Sequence, residues 1–167
     1  QYLRKTDGHI VPRAGAMPLI NDDIRRSAVQ EQVGPADLVV SSSVYEHLDD
    51  VDGVTHALAA VTAPGGLHIH FVDLRDHFFK YPFEMLTYSD SAWKHWLNPS
   101  SNHNRFRFND YKQVFERWFD DVEFTVLSRE PEAFAQARPR IRPEFLTGDP
   151  AIDSVTSIRV LARRPSQ

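Results

Sequence analysis

The chain has 167 residues, 41% of them apolar and 25% charged, with a net charge of −4. That length predicts one domain with a real core, and the charge argues against a general nucleic-acid binder, which presents a basic face. The absence of cysteine excludes disulfides and thiolate metal sites, while no apolar run of membrane-spanning length and no signal-peptide pattern lead to the expectation of a cytoplasmic protein.

Residues 1–35 read as an irregular N-terminal segment. His9-Ile10-Val11 has the composition of a weak strand. Pro12, Pro18, Gly34 and Pro35 bracket the charged stretch Asn21–Gln32, where Ile24 and Val29 give little helical periodicity, so a loop with one helical turn is expected. Ala36–Ser42 is apolar and β-branched, which predicts a buried strand. Ser41, Ser42 and Ser43 break that run where a parallel sheet presents a ligand.

Asp49 or Asp50 is placed to cap a helix running to Val61, with Val51, Val54, Leu58 and Val61 on a stripe of period 3.6. Pro64-Gly65-Gly66 is expected to end that helix. A second strand follows over Leu67–Asp73, with His68 and His70 on one side and Ile69 and Phe71 on the other. The two histidines are read as core residues with satisfied ring nitrogens rather than as ligands. An aromatic-rich insertion, Leu74–Arg107, comes next; its aromatics suit either a satellite core or the lining of a substrate pocket. Asn109 or Asp110 can cap a helix through Phe119 that carries Tyr111, Val114, Phe115 and Trp118 on one face. Val122–Ser128 is a strand, followed by a Pro- and Arg-rich loop whose Arg138, Arg140 and Arg142 read as solvated. Val155–Ala162 is the last strand, before the tail 164–167.

Three motifs stand out: Val44-Tyr45-Glu46-His47-Leu48 after the first confident strand, Pro64-Gly65-Gly66 eighteen residues beyond the glutamate, and Asp73-Leu74-Arg75-Asp76-His77-Phe78 at the end of the next strand. With the later Asn104–Arg107 run and Asp110-Tyr111, they make residues 36–163 resemble the second half of the class I S-adenosylmethionine-dependent methyltransferases. The nearest likeness is to bacterial methyltransferases of the kind found with polysaccharide-modifying genes. The resemblance implies an α/β fold: a partial Rossmann-like sheet whose strands at 36–42, 67–73, 122–128 and 155–162 stand for the fourth to seventh, with the insertion at 74–107. The first two strands should be parallel and adjacent, and the last two antiparallel. It also implies S-adenosylmethionine as cofactor and methyl transfer to a small-molecule or saccharide acceptor.

The sequence departs from that family in three places. No G-x-G-x-G loop, which lets backbone approach the cofactor, occurs in the chain. No acidic residue ends a second strand to hold the ribose. Arg13-Ala14-Gly15-Ala16-Met17-Pro18 stands where relatives carry an acidic residue near the adenine. The chain is therefore expected to be a truncated, split or degenerate enzyme that binds the cofactor weakly alone. The alternative is a non-catalytic pseudo-methyltransferase acting as a binding or structural module. A serine hydrolase fails on pattern, because no Gly-x-Ser-x-Gly elbow surrounds Ser41–Ser43.

The expected catalytic pair is His47, as the base for an acceptor hydroxyl, and Glu46; the plainer alternative is that both only shape the turn. Asp73, Arg75, Asp76 and His77 are the candidate acceptor-binding residues, with Arg75 able to clamp a carboxylate or phosphate, unless they form an ion-pair set at the insertion's entry. Ser41 and Ser42 are the candidate cofactor contacts. Some relatives hold a divalent ion through Glu-x-x-Glu-His in this turn; Ser43 takes the first position here, and although Asp73, Asp76 and His77 could supply replacements from the next strand end, the spacing matches no recognised ligand set, so no metal site is expected. An unprotected strand at 36–42 predicts a homodimer, through that edge or through its cover by residues 1–35.

Overall fold

The computed structural model describes residues 3–6, 9–12, 18–98, 100 and 102–165; the segment 13–17, considered above for adenine contact, lies outside them. Near the N-terminus β1 (Leu3–Thr6) and β2 (His9–Pro12) form an antiparallel hairpin, and helix α1 (Ser27–Val33) follows. The helix is a correction to the expected loop. It needs only one buried apolar anchor, Val29, and it stops at Gly34, whose φ of +67° suits glycine.

A four-stranded sheet carries the rest, in the order β3–β4–β6–β5. β3 (Ala36–Ser42) runs parallel to β4 (Thr62–Asp73) through helix α2 (Val51–Ala60), while β5 (Phe119–Arg129) and β6 (Val155–Pro165) are antiparallel, with β6 inserted between β4 and β5. The expected parallel and antiparallel pairings are both present. Asp50 caps α2 by accepting from the Gly53 amide at 2.9 Å. The Pro64-Gly65-Gly66 segment does not end α2, which stops at Ala60; it lies at the start of β4, where the register with β3 slips between Ala36 and Leu38. A side chain at Gly66 would meet the Ala36 carbonyl at 2.8 Å, so glycine lets the two strands close there.

α2 and helix α4 (Phe108–Trp118) touch each other, and α4 packs on β5 and β6. The core between helices and sheet holds Tyr45, Val72, Tyr111, Phe115, Val160 and Ala162 among others. Arg107, rather than Asn109 or Asp110, stands at the N-cap of α4; Asp110 sits one turn in and accepts from the Arg107 amide at 2.7 Å. The opposite sheet face is less covered. Leu38, Val40 and Phe71 on it are 55%, 58% and 39% exposed. β3 was expected to be buried, and the exposure of this face is the second correction; its outer edge is as expected, since no strand pairs with it among the described residues.

The insertion contains the single-turn α3 (Asp90–Ala92), continued by a π-helical turn over Trp93–Leu97. Phe83, Met85, Leu86 and Trp93 form a second core, completed by Phe134, Ala137 and Ile141 from the β5–β6 connection. That connection is not the simple loop expected, since it holds α5 (Pro131–Ala137) and α6 (Pro150–Asp153), each opened by a proline at its first turn. Arg140 there pairs with Glu84 at 2.7 Å, joining connection to insertion.

Candidate functional site

The site is built where β3 and β4 end, because the polypeptide must leave a parallel sheet at the same side for both strands. Ser43 takes φ +53°, and its amide reaches the Phe71 carbonyl at 3.0 Å before the chain turns out of the sheet. A 3₁₀ turn over Tyr45–His47 follows. Tyr45 enters the core against His70, Phe115 and Tyr111, with ring centroids 4.7, 5.2 and 6.3 Å away. With Tyr45 anchored there, Glu46 is held at 1% exposure, and neither of its carboxylate oxygens has a hydrogen-bond partner. Burial pushes its carboxyl pKa up.

Asn104 braces this turn from the far end of the insertion. Its amide donates to the Glu46 carbonyl at 2.8 Å, and its Nδ2 donates to the carbonyls of Tyr45 and Leu48 at 2.8 and 3.1 Å. Its Oδ1 accepts from the Tyr111 hydroxyl at 3.2 Å.

At the end of β4, Arg75 donates to Asp73 through Nε and Nη2 at 3.0 and 2.7 Å. Burial raises the Asp73 carboxyl, but the hydrogen bonds from Arg75 outweigh it and hold the group below its ordinary value. His77 Nε2 lies 3.4 Å from the same carboxylate. Asp76 does something else: its Oδ1 accepts from the amides of Phe78 and Phe79 at 2.7 and 2.9 Å, which folds the loop. Arg75, Asp76, His77, Lys80, Pro82 and Glu130 line a cleft of about 310 Å³.

These two segments converge. Glu46, His47 and His77 each present a ligand atom within 4.8 Å of the others. A fourth residue joins them, His103, whose ring centroid is 4.6 Å from His77 and 5.3 Å from His47. His103 is 3% exposed, both its ring nitrogens lack partners, and burial pushes its pKa down to about 4, so it is neutral at pH 7. Its carbonyl is fixed by the Trp93 indole N–H at 3.0 Å. Chemically, the cluster can move a proton or hold a cation.

Ser41 and Ser42 lie apart in role. Ser42 is exposed at the strand end, whereas the Ser41 hydroxyl is bonded to His70 Nδ1 at 2.8 Å. The reading of His68 and His70 as satisfied core histidines holds: a relay runs from Ser41 through His70 and His68 to Thr62. His103 and Asn104 are the residues that sequence reasoning passed over. The only signal for them was the Asn104–Arg107 run, which carried family likeness without a role.

In comparisons with known proteins, no family model matches the chain, and no curated protein matches it in sequence. Solved structures do match. An O-methyltransferase family protein from Burkholderia thailandensis superposes with a TM-score of 0.50 at 11% identity, over 92% of this chain and 37% of that one. Haemonchus contortus phosphoethanolamine N-methyltransferase 2, in complex with phosphomonomethylethanolamine and S-adenosylhomocysteine, gives 0.46 at 16% identity, over 78% and 34%. The same enzyme in complex with S-adenosyl-L-methionine gives 0.44 at 16%, over 78% and 33%. The fold is that of the class I methyltransferases. This chain spans about a third of the length of those structures. Its β3, β4, β5 and β6 take the places of the fourth, fifth, sixth and seventh strands, the last inserted antiparallel between its neighbours. Among the described residues, no helix is long and apolar enough to cross a membrane.

Proposed function

We propose that the chain carries the acceptor side of an S-adenosylmethionine-dependent methyltransferase acting on a small-molecule or saccharide acceptor. The observation that supports this is the convergence of Glu46, His47, His77 and His103 beyond the ends of a parallel strand pair in a methyltransferase fold, beside a cleft lined by Arg75 and His77. In that reading His47 takes the proton from the acceptor hydroxyl as the methyl group moves, and Glu46 sets the polarity around it. Arg75 and His77 orient the acceptor from the cleft. Asp73 holds both of them, so it is a positioning residue. The cofactor supplies the methyl group. A glycine-rich cofactor loop is not among these 167 residues, so the chain by itself is expected to bind S-adenosylmethionine weakly or not at all. Ser42, exposed at the end of β3, is the better placed of the two serines to meet a bound cofactor. The β3 edge, which no strand covers among the described residues, and its exposed apolar face support pairing with a second copy of the chain.

The test uses the histidine Cε1–H resonances of labelled chain. Titration with a panel of sugars and small hydroxylated acids is expected to shift His47, His77 and His103, and Arg75→Ala is expected to abolish the shift. Ligands that move none of these signals would defeat the acceptor reading. Calorimetry showing micromolar or tighter S-adenosylmethionine binding would mean that another backbone segment does the work of the glycine loop, and the division of labour proposed here would be wrong.

A further inference from the structure

We infer that Glu46, His47 and His77 form a binding site for a divalent first-row transition ion of the zinc type, with His103 as its buried neighbour. The ligand atoms already lie within 4.8 Å of one another. A tetrahedral ion with bonds of about 2.0–2.1 Å sets its ligand atoms about 3.3 Å apart, so binding draws the three side chains in by roughly an ångström. His77, at the surface between Asp73 and the His103 ring, is the ligand that would move.

Two buried groups point to a cation. Glu46 is 1% exposed, yet both its oxygens are unpartnered, and a carboxylate so placed is costly without a positive or donating partner. His103 is 3% exposed with two unpartnered ring nitrogens, beside the same space. It can close the coordination or accept a hydrogen bond from a metal-bound water. The surroundings also fit. Asp73 approaches His77 Nε2 at 3.4 Å and is itself held by Arg75, which is the carboxylate support that orients a ligating imidazole. Asn104 fixes the backbone of the turn that carries the other two ligands. Two imidazoles with one carboxylate suit zinc, iron, cobalt or nickel, not calcium or magnesium, which prefer oxygen throughout. The expectation of no metal site rested on Ser43 within the local sequence. Of the possible replacements at the end of β4, the structure brings His77 to the other two ligands. Three protein ligands leave a position open for an exogenous oxygen.

The inference does not rest on methyl transfer, since a chain that binds metal and transfers nothing leaves it standing; at His47 the two readings compete, because a ring nitrogen that ligates an ion cannot also take the acceptor's proton. The test uses tag-free chain stripped with chelator. Zn²⁺ is titrated in competition with a chromophoric chelator, and Co²⁺ is followed by its visible d–d absorption. Saturable binding of a single ion per chain is expected, with the intense bands of a four- or five-coordinate Co²⁺ site. His77→Ala should weaken binding by at least about 100-fold and Asp73→Asn by about 10-fold, the scale on which ligand supports act. His77 is exposed, so its variant should keep the wild-type melting curve. His95→Ala, at an exposed histidine on the π-helical turn, should bind as wild type. Equal affinity of wild type and folded His77→Ala, or no saturable binding by folded wild type, overturns the inference.

Discussion

Acid should unfold this protein through two histidines that lie outside the candidate cluster. His68 and His70 are both 0% exposed on β4. The Thr62 hydroxyl donates to the Leu58 carbonyl at 2.8 Å, so it accepts from His68 Nε2–H at 2.6 Å. His68 Nδ1 then has only a lone pair to offer, and it accepts from His70 Nε2–H at 3.2 Å. His70 Nδ1 in turn accepts from the Ser41 hydroxyl at 2.8 Å. Every nitrogen is satisfied with both rings neutral; protonating His68 sets two N–H groups against each other, and protonating His70 forces the Ser41 hydroxyl to turn its own hydrogen away and accept instead. Burial accordingly pushes His68 down to about 4, and burial with the neighbouring His68 pushes His70 down to about 3. In the unfolded chain both titrate near 6.5. Below that pH the unfolded state binds protons that the native state refuses, so stability is full above about pH 6.5 and falls as the pH drops toward 4. At pH 5 each histidine has lost about 2 kcal/mol, and the pair about 4 kcal/mol, a large share of a typical domain's stability. Urea unfolding between pH 7.5 and 5, for wild type and for the double variant His68→Leu/His70→Leu, isolates the pair from His103 and the carboxylates. The variant is expected to lose close to two protons of pH dependence at pH 5. Parallel pH profiles for the two proteins would refute the neutral relay.

Three further outcomes are expected. Gly66→Ala drives a methyl group against the Ala36 and Ala63 carbonyls, which lie 2.8 and 2.9 Å from its position, and should cost about 1–3 kcal/mol in urea unfolding; a neutral variant would mean that the β3–β4 register slip relaxes freely. Arg107→Met keeps the packing on Phe83 but removes the guanidinium that donates to the Leu74 and Val155 carbonyls at 2.6 Å each. Burial lowers that guanidinium to about 10, still cationic at neutral pH, and its loss should cost about 3 kcal/mol, read from the thermal midpoint. Val40→Lys places a charge on the exposed face of β3 and should shift sedimentation toward monomer while changing stability by less than about 0.5 kcal/mol; unchanged association would remove β3 from the interface.

Which parts of this molecule could be read from its sequence follows from how locally each is specified. β3, α2 and the two antiparallel strands are encoded by runs of β-branched residues and by a stripe from Val51 to Leu58, patterns that need no distant partner to be recognised. α1 and α5 were missed because their helical faces bury one or two side chains each, too few for a period to appear. The exposure of the β3 face, unlike that of its edge, was missed for a different reason. Leu38-Val39-Val40 has the composition of a strand covered on both faces, and composition does not say whether the cover is within the same residues.

The candidate site was legible by half. Glu46, His47, Asp73 and His77 could be placed because each stands at or shortly after the end of a strand, and in a parallel pair both strands deliver their ends to one side. His103 obeys no such rule. It stands 26 residues after His77, at the end of an insertion with its own core, and reaches the cluster only because Trp93 and Asn98 hold its carbonyl while Asn104 is tied to the Glu46 turn. A residue positioned by long-range hydrogen bonds has no local period to betray it. The same bonds bring Glu46, unpaired and buried, together with three imidazoles from separate segments, an arrangement that hydrophobic packing alone would avoid. The insertion therefore does more than fill space beside the sheet. Its end segment closes the cluster, so a change as remote as Arg105→Ala, which frees the Met85 and Tyr88 carbonyls and the Asp90 carboxylate from their shared guanidinium, should loosen His103 and with it the geometry of the cluster at the strand ends, read as a change in the His103 ring resonances.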